Sequence, residues 1–280
     1  MRKTVLVTGS QGFVGKQVLR ALGKENVSIR LVLREGRKIP EDQSTRVEKI
    51  IYSADMFAES SDWWATACEG VDTIIHVAWY AVPGQYLQSP KNLDCLLGTL
   101  RMAKGAVRAG VRRFTGVGTC FEYDLNGGLL STDTCLKPLT PYAGAKAAAF
   151  LSLSHSLPAE GVEFAWCRLF YLYGEGEDER RLVPYVRNQL AAGEVVELTS
   201  GNQIRDYLDV KDAGNMLIQT ALGDAQGAVN ICSGIPITVR QLVENIADEY
   251  GRRDLLKFGV RQENLVDPAC VVGVISESLI

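Results

Sequence analysis

Tyr142 and Lys146 stand four residues apart in Tyr142-Ala143-Gly144-Ala145-Lys146, within an Ala-rich stretch that reads as helix over 141–157. On a helix that spacing puts both side chains on one face. A phenol titrates near pH 10, and an adjacent ammonium favours its ionised form. Lowering a phenol by about three units takes ~4 kcal/mol of differential interaction. Lys146 and an oxidised nicotinamide together could supply that, leaving Tyr142 able to exchange a proton with a substrate hydroxyl. The spacing alone is equally that of an ordinary surface helix pair. Thr119 changes the weighing. It lies just past a strand-like 112–118, ahead of the Tyr142 helix, where its hydroxyl can hydrogen-bond the oxygen that gains or loses the proton.

A second constellation lies near the start. Thr8-Gly9-Ser10-Gln11-Gly12-Phe13-Val14-Gly15 joins a β-branched apolar run, 4–8, to a segment with helical periodicity, 16–23. Gly9 suits a tight turn, Gly12 lets a pyrophosphate approach the backbone, and Gly15 permits close helix–strand packing. The free N–H groups and dipole of the helix N-terminus attract the phosphates. The placement in a strand–loop–helix unit predicts dinucleotide binding.

An acid ending the second strand would bind the adenosine ribose and favour NAD. This chain has Leu33-Arg34-Glu35 there. Arg34 can face a 2′-phosphate bidentately and stack on adenine, which favours NADP. Glu35 keeps NAD open. Asp55, after the third strand, could accept from the adenine amino group or could be a solvated loop acid.

These residues need a frame. Apolar runs at 27–33, 47–52, 72–78, 112–118 and 162–169 read as strands after the first. Helices are expected at 61–68, with Ser61 or Asp62 as N-cap, then at 93–109 and 141–157. Strand and helix alternate six times, which predicts an α/β fold with a parallel sheet. After Tyr173 the pattern changes. Gly174–Arg181 is charged and loop-like, Leu182–Ala192 helical, and 195–199 and 205–210 short strands. Val210–Leu222 and Val239–Tyr250 are helices, and the tail beyond Phe258 has weak periodicity. The expected division is a dinucleotide-binding Rossmann domain over 1–173 with a return segment at about 203–230, and a smaller substrate domain from 174–202 and 231–280.

Bulk properties exclude several classes. The 46% apolar and 22% charged composition of the 280 residues is that of a globular enzyme. Net charge is −3, and Arg34, Arg37 and Lys38 are too few for a duplex, so no nucleic-acid partner is expected. Seven cysteines without a CxxC pair argue against a disulfide framework or zinc site and for a reduced, cytoplasmic setting. His76 and His155 read as structural, so no metal is expected. No apolar run approaches the ~20 residues of a membrane helix, and no signal peptide is read at the N-terminus.

In this order along the chain, TGSQGFVG at 8–15, HVAW at 76–79, VGTCFEYD at 117–124, YAGAK at 142–146, RLFYLYG at 168–174 and RDYLDVKDAG at 205–214 resemble the extended short-chain dehydrogenases/reductases of the NAD-dependent epimerase/dehydratase group. The resemblance implies a doubly wound Rossmann domain and a nucleotide-diphosphate-sugar substrate. It implies Thr119, Tyr142 and Lys146 as catalytic residues, with Lys146 also on the nicotinamide ribose. Cofactor contacts are expected from Gly9, Gln11, Gly12, Phe13, Val14, Gly15, Arg34, Asp55, Met56, Ala78 and Lys146. Substrate contacts are expected from Trp79, Cys120, Phe121, Tyr142, Tyr171 and Arg205, with Arg205 on the diphosphate.

Three departures from the family pattern matter. Cys120-Phe121 replaces the Asp-Glu of sugar-nucleotide 4,6-dehydratases, which argues against dehydration. Tyr171 replaces the usual asparagine, which puts that diphosphate contact in doubt. The chain end is short for the family, which puts part of the nucleotide-binding tail in doubt. The reading is therefore a 4-keto-reductase/4-dehydrogenase of a nucleotide deoxysugar. A 4-epimerase is the alternative, and a non-catalytic NAD(P)-binding regulator a remote one. The family also implies a homodimer in which helices 93–109 and 141–157 pair into a four-helix bundle.

Overall fold

The computed structural model describes residues 2–38, 46–263 and 267–279. The first part of the chain forms β1 (Lys3–Thr8), α1 (Phe13–Leu22), β2 (Val27–Arg34), β3 (Val47–Ser53), α2 (Ser61–Ala67) and β4 (Thr73–His76). It continues through α3 (Lys91–Arg108), β5 (Arg113–Thr119), a short β6 (Leu129–Leu130), α4 (Pro141–Ala159) and β7 (Glu163–Leu169). Then come β8 (Tyr171–Tyr173), α5 (Leu182–Ala192), β9 (Val196–Glu197), β10 (Ile204–Asp209), α6 (Val210–Leu222) and β11 (Gly227–Ile231). The last are β12 (Pro236–Thr238), α7 (Val239–Tyr250), β13 (Leu256–Lys257) and β14 (Cys270–Gly273).

Seven strands form one parallel sheet in the order β11-β7-β5-β4-β1-β2-β3. The winding reverses between β1 and β4. Ligands of open parallel sheets bind past the carboxyl ends of the strands at such a switch point. Both faces of the sheet are covered, so its inner strands are continuously apolar rather than alternating. Val5, Val7 and Leu31 pack with Val18, Leu22 and Leu217 of α1 and α6. Leu6, Ile74, Phe114 and Trp166 pack with Trp64, Met102 and Leu153 of α2, α3 and α4.

A second sheet is mixed. Its order is β12-β10-β14-β6, with β8 also paired to β10; β10 runs antiparallel to β12 and parallel to β14 and β8. Beside it α5 and α7 bury Val183, Val186, Leu190, Val243, Ile246 and Ala247, and β9 pairs with β13.

Several expectations need correction. α1 starts at Phe13, not at 16, because Gly12 already serves as its N-cap. Ser60 caps α2, accepting from Trp63 N; Ser61 and Asp62 are inside the helix. The sheet has a seventh strand, β11, where only a return segment was anticipated. The weakly periodic tail contributes β14, which is held by β10 and β6 on either side.

Candidate active site

The loop after β1 is shaped for close backbone approach. Gly9 has φ +73°, and a Cβ there would lie 2.6 Å from Ala78 N. A Cβ on Gly15 would lie 1.9 Å from the Gly9 carbonyl oxygen. Gly12 differs, since its Cβ would meet only Gly9 O at 3.4 Å. No side chain caps the α1 N-terminus, and the Ser10 hydroxyl is buried without a hydrogen-bond partner. Behind the loop, Thr99 Oγ1 donates to Cys95 O at 2.8 Å and so accepts from His76 Nε2 at 2.9 Å. His76 Nδ1 then accepts from Thr8 Oγ1 at 2.8 Å, and Thr8 Oγ1 accepts from Ala78 N at 3.4 Å. One tautomer satisfies the whole chain. Burial, with the Lys146 charge adding, pushes the imidazole down to about 3 and keeps it neutral.

Around the loop, Gln11 Nε2 donates to Lys38 O at 2.8 Å, tying it to the segment after β2. Arg34 is exposed at the end of β2. Asp55 Oδ1 accepts from Phe57 N at 3.0 Å, which orders the turn after β3. Met56 is half-buried against the α2–α3 side of the core, and Phe13 and Val14 pack against the α1–α6 side.

Thr119 ends β5. Its Oγ1 accepts from Phe121 N at 3.3 Å and faces the Tyr142 phenol. Thr140 caps α4, accepting from Ala143 N at 3.2 Å, with Pro141 in the first turn, so Tyr142 and Lys146 enter at the start of a well-defined helix. Lys146 is buried. Its Nζ donates to Val117 O at 2.5 Å and lies 3.8 Å from the centre of the Trp79 ring. The residues of the chain by themselves do not depress the Tyr142 phenol. Burial pushes it well above the ordinary range, Tyr86 and Glu122 add to this, and the Thr119 hydrogen bond works the other way. Lys146 instead directs its ammonium to a backbone carbonyl and an aromatic face.

The remaining substrate-side candidates are linked by ring and side-chain contacts. Trp79 Nε1 donates to Asn92 Oδ1 at 2.9 Å, fixing the ring over Lys146. The Tyr86 ring stands edge-on to Tyr142 at 4.8 Å, and burial pushes the Tyr86 phenol up, with Arg181 opposing. Phe121 meets Tyr171 at 6.1 Å, and Tyr171 meets Tyr207 at 5.8 Å. Cys120 is buried beneath them, and burial pushes its thiol up. Arg205, also buried, stacks 5.3 Å from the Tyr171 ring and pairs with Asp267 at 2.7 Å. Tyr171 thus meets Arg205 through an aromatic face where an asparagine would have offered an amide.

A model of the NAD dependent epimerase/dehydratase family matches residues 5–232. The chain belongs to that family. Among curated relatives, a dTDP-6-deoxy-L-talose 4-dehydrogenase (NAD(+)) of Aggregatibacter actinomycetemcomitans is 23% identical over 275 residues, covering 96% of this chain and 98% of that one. A GDP-6-deoxy-D-mannose reductase of Pseudomonas aeruginosa is 26% identical, covering 89% and 80%. Among solved structures, MoeE5 in complex with UDP-glucuronic acid and NAD is 25% identical with TM-score 0.80, covering 98% and 91%. A UDP-glucose 4-epimerase of Thermotoga maritima has TM-score 0.83 at 18% identity, covering 98% and 91%, a likeness of fold.

An NAD-dependent family member needs a dinucleotide cradle, and the residues here fit one. The open Cα of Gly12, the uncapped α1 N-terminus and the orphaned Ser10 hydroxyl converge at the switch point. Ser10 lies within the glycine loop yet was not singled out from the sequence. Tyr86, Tyr207 and Arg181 were also missed, and no local spacing marks them; Glu122 was missed although Thr119-x-x-Glu122 has capping-box spacing.

Proposed function

We propose that this protein is a nucleotide-diphospho-sugar oxidoreductase that interconverts a hydroxyl and a keto group at C4 of a deoxysugar. The observation that carries the reading is that Thr119 ends β5 while Tyr142 and Lys146 open α4, with the buried Lys146 Nζ donating to Val117 O of that same strand. The relative that matches nearly end to end carries a 4-dehydrogenase name. Cys120 and Phe121 bring no acid–base pair beside Thr119, which speaks against dehydration.

Tyr142 exchanges the C4 hydroxyl proton and Thr119 hydrogen-bonds the C4 oxygen. Lys146 holds a positive charge beneath them and binds the nicotinamide ribose. Bound NAD accepts or supplies the hydride. The cofactor contacts assigned to the loop residues 9 and 11–15, to Asp55, Met56 and Ala78, and the substrate contacts assigned to Trp79, Cys120, Phe121, Tyr171 and Arg205 belong to this reading. Arg205 faces the diphosphate after exchanging Asp267 for it. The smaller domain is taken as 174–202 with 231–280. NAD is the cofactor that the 4-dehydrogenase relative's name supports. Arg34 keeps NADP as a competitor, so the two affinities should be compared directly.

Turnover is tested with dTDP-6-deoxy-L-talose and NAD, and with NADPH or NADH in the reverse direction on nucleotide 4-ketosugars. Tyr142→Phe is expected to lose on the order of 10²–10⁴-fold in kcat. Unchanged activity in that variant would overturn the assignment. Tightly co-purified NAD with sugar inversion and no net redox change would instead identify a 4-epimerase.

A further inference from the structure

A buried charged pair lies behind the reacting groups, and the catalytic reading leaves it unused. Glu122 and Arg168 are both fully buried, and Arg168 Nε donates to Glu122 Oε2 at 2.8 Å. Glu122 Oε1 accepts from the Thr119 backbone N–H at 2.8 Å. Trp166 Nε1 donates to both Glu122 oxygens, at 3.0 and 3.2 Å. Every partner is an N–H donor, which suits a carboxylate. A buried ion pair is often no more stabilising than apolar residues of the same volume, so stability alone does not account for it.

The neighbouring backbone is cut away to admit the pair. A Cβ on Gly118 would lie 2.2 Å from Trp166 Nε1 and 2.4 Å from Glu122 Oε1, and one on Gly116 would lie 2.3 Å from the Trp166 ring. Two glycines of β5 therefore make room for the indole and the carboxylate beside the strand that ends in Thr119. The Lys146 Nζ lies 5.7 Å from the centre of that same indole ring. The Arg168 guanidinium also stacks on the Tyr123 and Phe150 rings, each at 4.4 Å.

We propose that Glu122 is a positioning residue. It pins the Thr119 backbone at the end of β5, and it sets a buried negative charge on the Trp166 indole that Lys146 Nζ also approaches. The inference rests on the reading of Thr119, Tyr142 and Lys146 as the reacting groups. The charged and titratable groups that face Glu122 are Arg168 from β7, Lys146 and Tyr142 from α4, and Cys120 and Tyr123 from its own segment. Among these, Glu122 favours the ammonium of Lys146 and disfavours the phenolate of Tyr142.

Glu122→Gln keeps the shape but removes the charge and turns an amide N–H toward N–H donors. Lys146 is titrated by NMR of its side chain, assigned by comparison with Lys146→Met, a measurement that requires no substrate. The pH–rate profile with dTDP-6-deoxy-L-talose and NAD is measured beside it. In E122Q the Lys146 midpoint is expected to fall, and both limbs of the profile to move to lower pH. The expected loss in kcat is on the order of 10²-fold, with KM much less affected. Glu122→Asp keeps the charge and withdraws the pin, so its Lys146 midpoint stays near wild type while kcat falls. Should E122Q not fold, E122D carries the test, and a wild-type kcat there overturns the proposal. A wild-type midpoint, profile and kcat in E122Q overturns it too. Retained turnover in Y142F would instead remove the catalytic reading on which it rests.

Discussion

Lys146 sits near its own midpoint at neutral pH. Burial pulls its ammonium down to about 7, against the opposing pull of Glu122 and then Cys95. An exposed lysine titrates near 10.5. Between pH 7 and 10.5 the folded chain therefore binds fewer protons than the unfolded one, and stability rises with pH across that window. Above it the contribution is fully regained; at and below its lower end the buried ammonium opposes folding most. Lys146→Met removes this opposition. The variant is expected to be more stable than wild type at pH 7 by on the order of a few kcal/mol, with the gap closing toward pH 10.5, while turnover is lost. Denaturant unfolding at both pH values checks it, and a variant less stable than wild type at pH 7 would refute it. A residue that weakens its own fold is what a functional site permits.

At the scale of elements, the loop between β1 and α1 separates binding from folding. At Gly12 a methyl group would make only an ordinary contact with Gly9 O. Gly12→Ala is therefore expected to leave Tm nearly unchanged while weakening NAD binding, because the methyl stands where the pyrophosphate must approach. At Gly15 the same methyl would overlap backbone, which has no flexible end to yield. Gly15→Ala should destabilise by about 1–3 kcal/mol and weaken NAD binding as well. Calorimetric titration with NAD and thermal unfolding of both variants distinguish the two; equal Tm losses would count against this division. The loop was legible from sequence because its requirements are local, and the elements that carry Thr119, Tyr142 and Lys146 were legible as an apolar run and an Ala-rich stretch. Glu122 shows locally only as the third residue after Thr119, a capping-box spacing, while Trp166 and Arg168, which enclose it, lie 44 and 46 residues away and reach it through sheet register. β11 and β14 escaped for the same reason. Each is five residues or fewer, and each exists through pairing with a distant strand.

The whole molecule presents an unfinished surface. α3 and α4 pack side by side over the sheet, and their outer faces leave Leu93, Leu97 and Leu151 exposed at 60%, 43% and 51%. Leu93 and Leu97 are one turn apart on α3, so they form a stripe rather than scattered surface residues. Inward-facing Met102, Ala103, Ala149 and Leu153 already fill the core beneath, so the outer leucines are not required for packing on the sheet. Exposed leucines on two packed helices are of the kind a self-complementary contact would cover. A second copy related by a two-fold axis would set the same two helices against it and close a four-helix bundle, the homodimer expected of this reading. Leu97→Glu with Leu151→Glu would put charges at the centre of that contact without touching the core. Light scattering is expected to give a dimer for the wild type and a monomer for the double variant. The isolated variant should keep its secondary structure, since neither leucine belongs to a buried cluster. A wild type that is monomeric at every concentration measured would refute the dimer.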